Sequence, residues 1–142
     1  MFSKEESKQL REQFWTSFGK SFPRKWILYN TGLKGLSLKF HFDTKTALVA
    51  LDLEDDLEKR IGYWEKLLAL KSILTSEYVP NAKFEEIYFL QNGKEISRIY
   101  VEFSKKVSIH NKSSWQVTME FLNDSMLKFE SFYTEYKDVI KA

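Results

Sequence analysis

The spacing of apolar residues divides the chain into helices and strands. Leu10, Phe14 and Phe18 fall at i, i+4 and i+8, with Trp15 and Phe22 widening the stripe, so Lys4 to Phe22 reads as a helix. Ser3 is its expected N-cap, with Glu5 and Glu6 in the first turn, and Pro23 ends it. A connecting segment from Arg24 to Gly35 follows, with room for a short strand at Trp26 to Tyr29 and turn residues at Asn30-Thr31-Gly32. Leu36, Leu38, Phe40 and Phe42 then alternate with Ser37, Lys39, His41 and Asp43, the period-two pattern of a half-buried strand. Its partner, Thr46 to Leu53, is apolar on both faces for most of its length and is expected at the sheet centre.

A second helix is expected from Asp55 to about Tyr78, closed by Pro80. Two further strands, Phe84 to Gln91 and Lys94 to Ser104, flank Asn92-Gly93, a strong hairpin signal. Val107 to His110 is a candidate short strand. Ser113 and Gln116 have the spacing of a capping box at the head of a last helix, about Ser114 to Ile140. Along it Trp115, Met119, Leu122, Met126, Phe129, Tyr133, Tyr136 and Ile140 form a heptad stripe, which can lie on the sheet or form a helix–helix seam. The expected architecture is α+β, with an antiparallel sheet of about four strands from two hairpins and three helices in the order α-β-β-α-β-β-α. Residues 1–142 are expected to form a single domain. Phe40, Phe42, Val49, Leu51, Ile99 and Val101 are its expected core.

The absence of cysteine removes thiolate nucleophiles, disulfides and Cys-ligated metals from consideration. His41 and His110 are too few for a His-rich metal site. No glycine-rich phosphate loop and no nucleophile elbow occurs, so no catalytic residue, cofactor or metal ligand is assigned. A metal-dependent nuclease would need acids such as Asp43, Asp52 and Glu54 to converge, with a lysine on the following strand. The helix-capping role of the acids near residue 55 is the competing explanation. The opening residues lack the apolar stretch of a signal peptide. No run approaches the ~20 apolar residues of a membrane helix, so the expected location is cytoplasmic, without a membrane partner.

Net charge is only +2, but the cations are unevenly placed. From Lys20 to His41 stand Lys20, Arg24, Lys25, Lys34 and Lys39 with no acid, interleaved with Trp26 and Tyr29. Cations beside aromatic rings suit a nucleic-acid backbone and its unstacked bases, and equally an acidic protein partner. Arg24, Lys25, Trp26, Tyr29, Lys34 and Lys39 are therefore the candidate binding residues. Arg98 is a second candidate for anion contact, with a cross-strand ion pair as its other role.

Phe14-Trp15-Thr16-Ser17-Phe18, Trp26 to Gly32, Gly93 to Ile99, and Trp115 with Phe129 and Phe132 resemble an uncharacterised bacterial family, the domain of unknown function DUF4268. The resemblance runs over nearly the whole chain. Members often follow restriction-endonuclease-like modules, which implies an accessory or recognition role near DNA; this chain has no room for such a module. The expected function is a non-enzymatic binding module with nucleic acid as its ligand class. The alternatives are a protein-interaction or dimerisation domain and a divergent metal-dependent nuclease. A monomer or weak homodimer is expected.

Overall fold

The computed structural model describes residues 2–142. Its elements are α1 (Lys4–Ser21), β1 (Leu36–Phe42), β2 (Ala47–Leu53), α2 (Leu57–Ala69), the short α3 (Lys71–Ile73), β3 (Lys83–Phe89), β4 (Glu95–Glu102) and α4 (Trp115–Lys141). The four strands form one antiparallel sheet in the order β1-β2-β4-β3. The α+β architecture from two hairpins is thus the one that the alternation predicts. β2 is central and buried along its whole length.

Pairing of Leu38 with Leu51 and of Leu51 with Ile99 puts the apolar residues of three strands on one face. The helices cover that face. Of the six expected core residues, five are buried and Phe40 is partly buried at the β1 edge. The other face carries Lys39, His41, Asp52, Ala50, Leu48, Arg98 and Tyr100. Its small apolar patch of Leu48, Ala50 and Tyr100, with Tyr88 against it, includes no helix residue.

Local chemistry explains the helix starts. The Ser3 hydroxyl accepts from the Glu6 N–H while the Glu6 carboxylate accepts from the Ser3 N–H, a reciprocal capping box. Asp56 caps α2 by accepting from the Lys59 N–H. The box expected at Ser113 does not form. The Ser113 hydroxyl donates to Asn111 and the Gln116 amide donates to Glu120, while a 3₁₀ turn, Lys112–Ser114, leads into α4.

Other differences are local. The single second helix expected to reach Tyr78 is interrupted at Leu70, and its last turn, Leu74–Tyr78, is a π turn. The Val79 N–H donates to the Leu74 carbonyl, five residues back, and this wider turn lets Leu74 and Val79 both face the core. Asn92-Gly93 does mark a hairpin, but only Gly93 has positive φ. The Gly93 N–H donates to Leu90 and the Leu90 N–H to Lys94, so the loop has three residues, Gln91 to Gly93, with the glycine in its left-handed position. Trp26 to Tyr29 and Val107 to His110 are not strands. The second of these is a loop pinned by buried Val107 and Ile109.

The α4 stripe faces its own sheet and helices. Trp115, Met119, Leu122, Met126, Phe129, Tyr133 and Ile140 are all buried there. Among the described residues, no helix is long and apolar enough to cross a membrane.

Candidate nucleic-acid interface

The segment between α1 and β1 has no regular structure, yet its backbone is held in place by α4. Glu130 lies mid-helix with its side chain only 5% exposed. One carboxylate oxygen accepts from Arg24 Nη2 at 2.6 Å and the other accepts from the Ile27 N–H at 2.6 Å. One helical turn on, the Tyr133 hydroxyl donates to the Thr31 carbonyl at 2.7 Å. Between these anchors Ile27 to Asn30 form a tight turn, closed by the Asn30 N–H donating to the Ile27 carbonyl. Leu28 adopts φ 46°, a conformation uncommon for a bulky residue, and its carbonyl accepts from the Leu38 N–H on the free edge of β1. The Tyr29 side chain is left projecting into solvent, 73% exposed.

Beside the turn is a cleft of about 280 Å³ lined by Trp15, Leu28, Tyr29, Leu38, Lys39 and Phe40. Its walls are apolar and aromatic. At this volume it is slightly smaller than ordinary small-molecule sites, a size for one flat ring rather than a whole ligand. Lys25 and Lys34 on the same segment are exposed and, among the described residues, have no carboxylate within ion-pair distance.

The candidate residues divide accordingly. Tyr29 and Lys39 line the cleft, Lys25 lines a separate groove with Glu130 and Glu135, and Lys34 is exposed elsewhere on the segment. Arg24 is half exposed but paired with Glu130, and its guanidinium lies 4.8 Å from the centre of the Trp26 ring. Trp26 is partly buried against Phe18 and Phe40, so its ring packs the core. Trp15 was legible only as a widening of the α1 core stripe. It packs on Phe14, Phe18 and Phe40 and also reaches the cleft.

The Arg98 guanidinium is already paired with a carboxylate. It is buried, and Nε and Nη2 donate to the two oxygens of Asp52 at 2.7 and 2.8 Å. The two residues are register partners on β2 and β4, so the cross-strand ion pair is the role realised. Lys39 bridges to Glu54 at 2.6 Å and Asp52 at 3.2 Å, and Lys94 reaches Glu54 at 3.2 Å. Burial disfavours the charged form of Lys39, but the Glu54 bond and the charges of Asp52 and Glu54 outweigh it and hold its pKa above the ordinary value. Burial likewise opposes the Glu54 charge, and Lys39 and Lys94 overcome it, lowering its pKa.

The same network bears on the nuclease alternative. Both Asp52 oxygens are already held by cations. Asp43 lies beyond the other end of β2, its carboxylate accepting from the Lys45 and Thr46 N–H groups and bonded to His41. Among the described residues no three His, Asp or Glu side chains come together as a metal site.

A family model described as a domain of unknown function, DUF4268, matches residues 10–137. No curated protein and no solved structure was found to match the chain.

Proposed function

The chain belongs to the DUF4268 family, and we propose that it is a non-enzymatic nucleic-acid-binding module that takes an unpaired base at the β1 edge. The observation that carries this reading is the rigidly presented, exposed Tyr29 facing a cleft that Trp15 and Phe40 also line, on the same segment as Lys25 and Lys34, which have no ion-pair partner among the described residues. A ring on an immobilised turn loses little entropy when a base stacks on it, and lysines supply sequence-independent attraction to phosphate. The setting we propose is cytoplasmic and accessory to enzymes that act on DNA.

Fluorescence anisotropy with labelled single-stranded oligonucleotides at low salt tests this. Tyr29→Ala weakens binding by roughly 1–3 kcal/mol, about 5- to 150-fold, with the melting temperature unchanged because the ring makes little of the core. Lys25→Ala with Lys34→Ala flattens the salt dependence by up to about 1.4 units on a single strand. Failure of the wild-type protein to bind any oligonucleotide, or wild-type affinity in Tyr29→Ala, refutes the reading. An acidic protein partner on the same lysines would then take its place. Dimerisation through the α4 stripe is not the reading favoured, because that stripe packs against its own sheet.

A further inference from the structure

The two edges of the sheet are finished differently. At the β1 edge the Leu38 N–H donates to the Leu28 carbonyl, so the chain's own segment covers part of that edge. The β3 edge has no such cover. Among the described residues, no backbone hydrogen bond reaches Lys83 to Phe89 from outside the sheet. Eight large apolar side chains are exposed among the described residues, and five of them belong to β3 and to the helix beside it: Ile87 and Phe89 on β3, and Leu57, Ile61 and Leu68 on α2. An unpaired strand edge that carries apolar side chains is a template for another strand.

Contacts fix how α2 lies on β3. Near the start of α2, Arg60 Nη1 donates to the Glu95 carbonyl at 3.1 Å, and Glu95 is the register partner of Phe89. Further on, Trp64 meets Phe84 edge to face with ring centres 5.9 Å apart, and just past the helix the Lys71 ammonium lies 5.2 Å from the Phe84 ring centre. α2 therefore runs antiparallel to β3. Its buried side is Arg60, Trp64 and Leu67. At 3.6 residues per turn, Leu57, Ile61 and Leu68 fall within about 40° of one another on one flank of that side, and Tyr63, packed against the core, falls on the other flank. Trp64 is the buried residue nearest the stripe and the one that meets Phe84, so the stripe opens towards the β3 edge. Phe89 and Ile87 are on the same side of the sheet. Phe89 is opposite Glu95, and the bulge sets Glu86 and Ile87 opposite Ser97, positions that alternate with Arg98 of the uncovered face.

Charge is graded along this surface. Glu58 and Glu65 border the α2 stripe and Glu86 stands at the bulge, while Lys71 and Lys83 stand at the other end. All five are exposed, and among the described residues none has an ion-pair partner. A surface acidic towards one end and basic at the other is complementary to itself when two copies meet antiparallel. We infer that the β3 edge is a homodimer interface, in which two copies pair β3 antiparallel about a two-fold axis and pack their α2 stripes together on the helix side of one continued sheet. With Leu57 of one copy against Leu68 of the other, Glu58 comes within about one helical turn of Lys71 across the interface. The bulge bends β3, so regular strand pairing is short and contact between the apolar side chains carries the association. The Tyr29 cleft lies at the opposite, β1 edge of the sheet and stays free in such a dimer.

Sedimentation equilibrium of the full chain from micromolar to millimolar concentration, without nucleic acid, tests the interface. The mass should rise from one chain to two. Ile87→Lys with Phe89→Lys should raise the dimer dissociation constant by about tenfold or more. Both side chains are exposed, so the variant monomer should still melt cooperatively. Val139→Lys, at an exposed apolar residue of α4 outside the edge, should leave dimerisation unchanged. Glu58→Lys and Lys71→Glu should each weaken the dimer by about two- to tenfold, and the two together should restore it, because the pair is re-formed with its signs exchanged. A mass of one chain at every concentration overturns the inference and leaves the edge to a strand of another protein. A dimer that Val139→Lys weakens as much as Ile87→Lys with Phe89→Lys also overturns it. Charge reversals whose losses add instead of cancelling overturn the antiparallel alignment. No arm of this experiment uses an oligonucleotide, so its result stands apart from the fate of the Tyr29 cleft.

Discussion

Glu130 anchors the first part of the segment before β1, and replacing it separates its two bonds. Glu130→Ala removes a charge-assisted hydrogen bond to the Ile27 N–H and the ion pair with Arg24. A hydrogen bond to a charged group contributes about 1.5–3 kcal/mol. Arg24 is 47% exposed, so its pair adds no more than about 1 kcal/mol after solvent screening. The expected cost of Glu130→Ala is therefore about 2–4 kcal/mol, against under about 1 kcal/mol for Arg24→Ala. Glu130→Gln keeps an acceptor for Ile27 and should fall between them. Urea unfolding reads this as a midpoint lowered by about 1–2 M for Glu130→Ala. Binding supplies an independent sign. Removing an acid next to a lysine-rich segment should tighten polyanion binding if charge alone matters. If anchoring of the Tyr29 turn matters, oligonucleotide affinity should fall. Equal costs for Arg24→Ala and Glu130→Ala would refute the assignment of the Ile27 bond as the anchor, and tighter binding by Glu130→Ala would refute the link from anchoring to function.

Arg98→Ala leaves Asp52 with little of its compensation at a fully buried site, and should cost about 3–5 kcal/mol in urea unfolding; removing both side chains should cost less than Arg98→Ala alone. Glu54 has its pKa lowered from 4.5, so its contribution is present above that value and disappears as pH falls through the lower folded-state pKa. The stability gap between wild type and Glu54→Gln should accordingly be visible at neutral pH and close in acid. Lys39, with its pKa raised from 10.5, behaves in the opposite sense: its contribution is present below 10.5 and is lost as pH rises through the higher folded-state value.

The sequence by itself determined what depends on neighbours a few residues apart. Alternation from Leu36 to Phe42 set the buried face of β1, the unbroken apolar run of β2 set its central place, and Ser3 with Glu6 set the start of α1. The heptad stripe named the residues of α4 that meet the sheet. The Asn92-Gly93 pair located the β3–β4 hairpin, although the turn geometry differed, because loop length is chosen by the strand register on either side. Composition also located the basic segment. What became of each cation was decided only by the tertiary structure. Arg24 meets Glu130 across 106 residues and Arg98 meets Asp52 across 46, while Lys25 and Lys34 pair with no acid among the described residues. The ring that reaches the cleft is Trp15, on a helix whose pattern marked it as core. Periodicity reports which face of an element is apolar, because that face repeats along the chain. A charge is free or paired according to a single long-range contact, and such contacts exist only after the sheet and α4 have closed on each other.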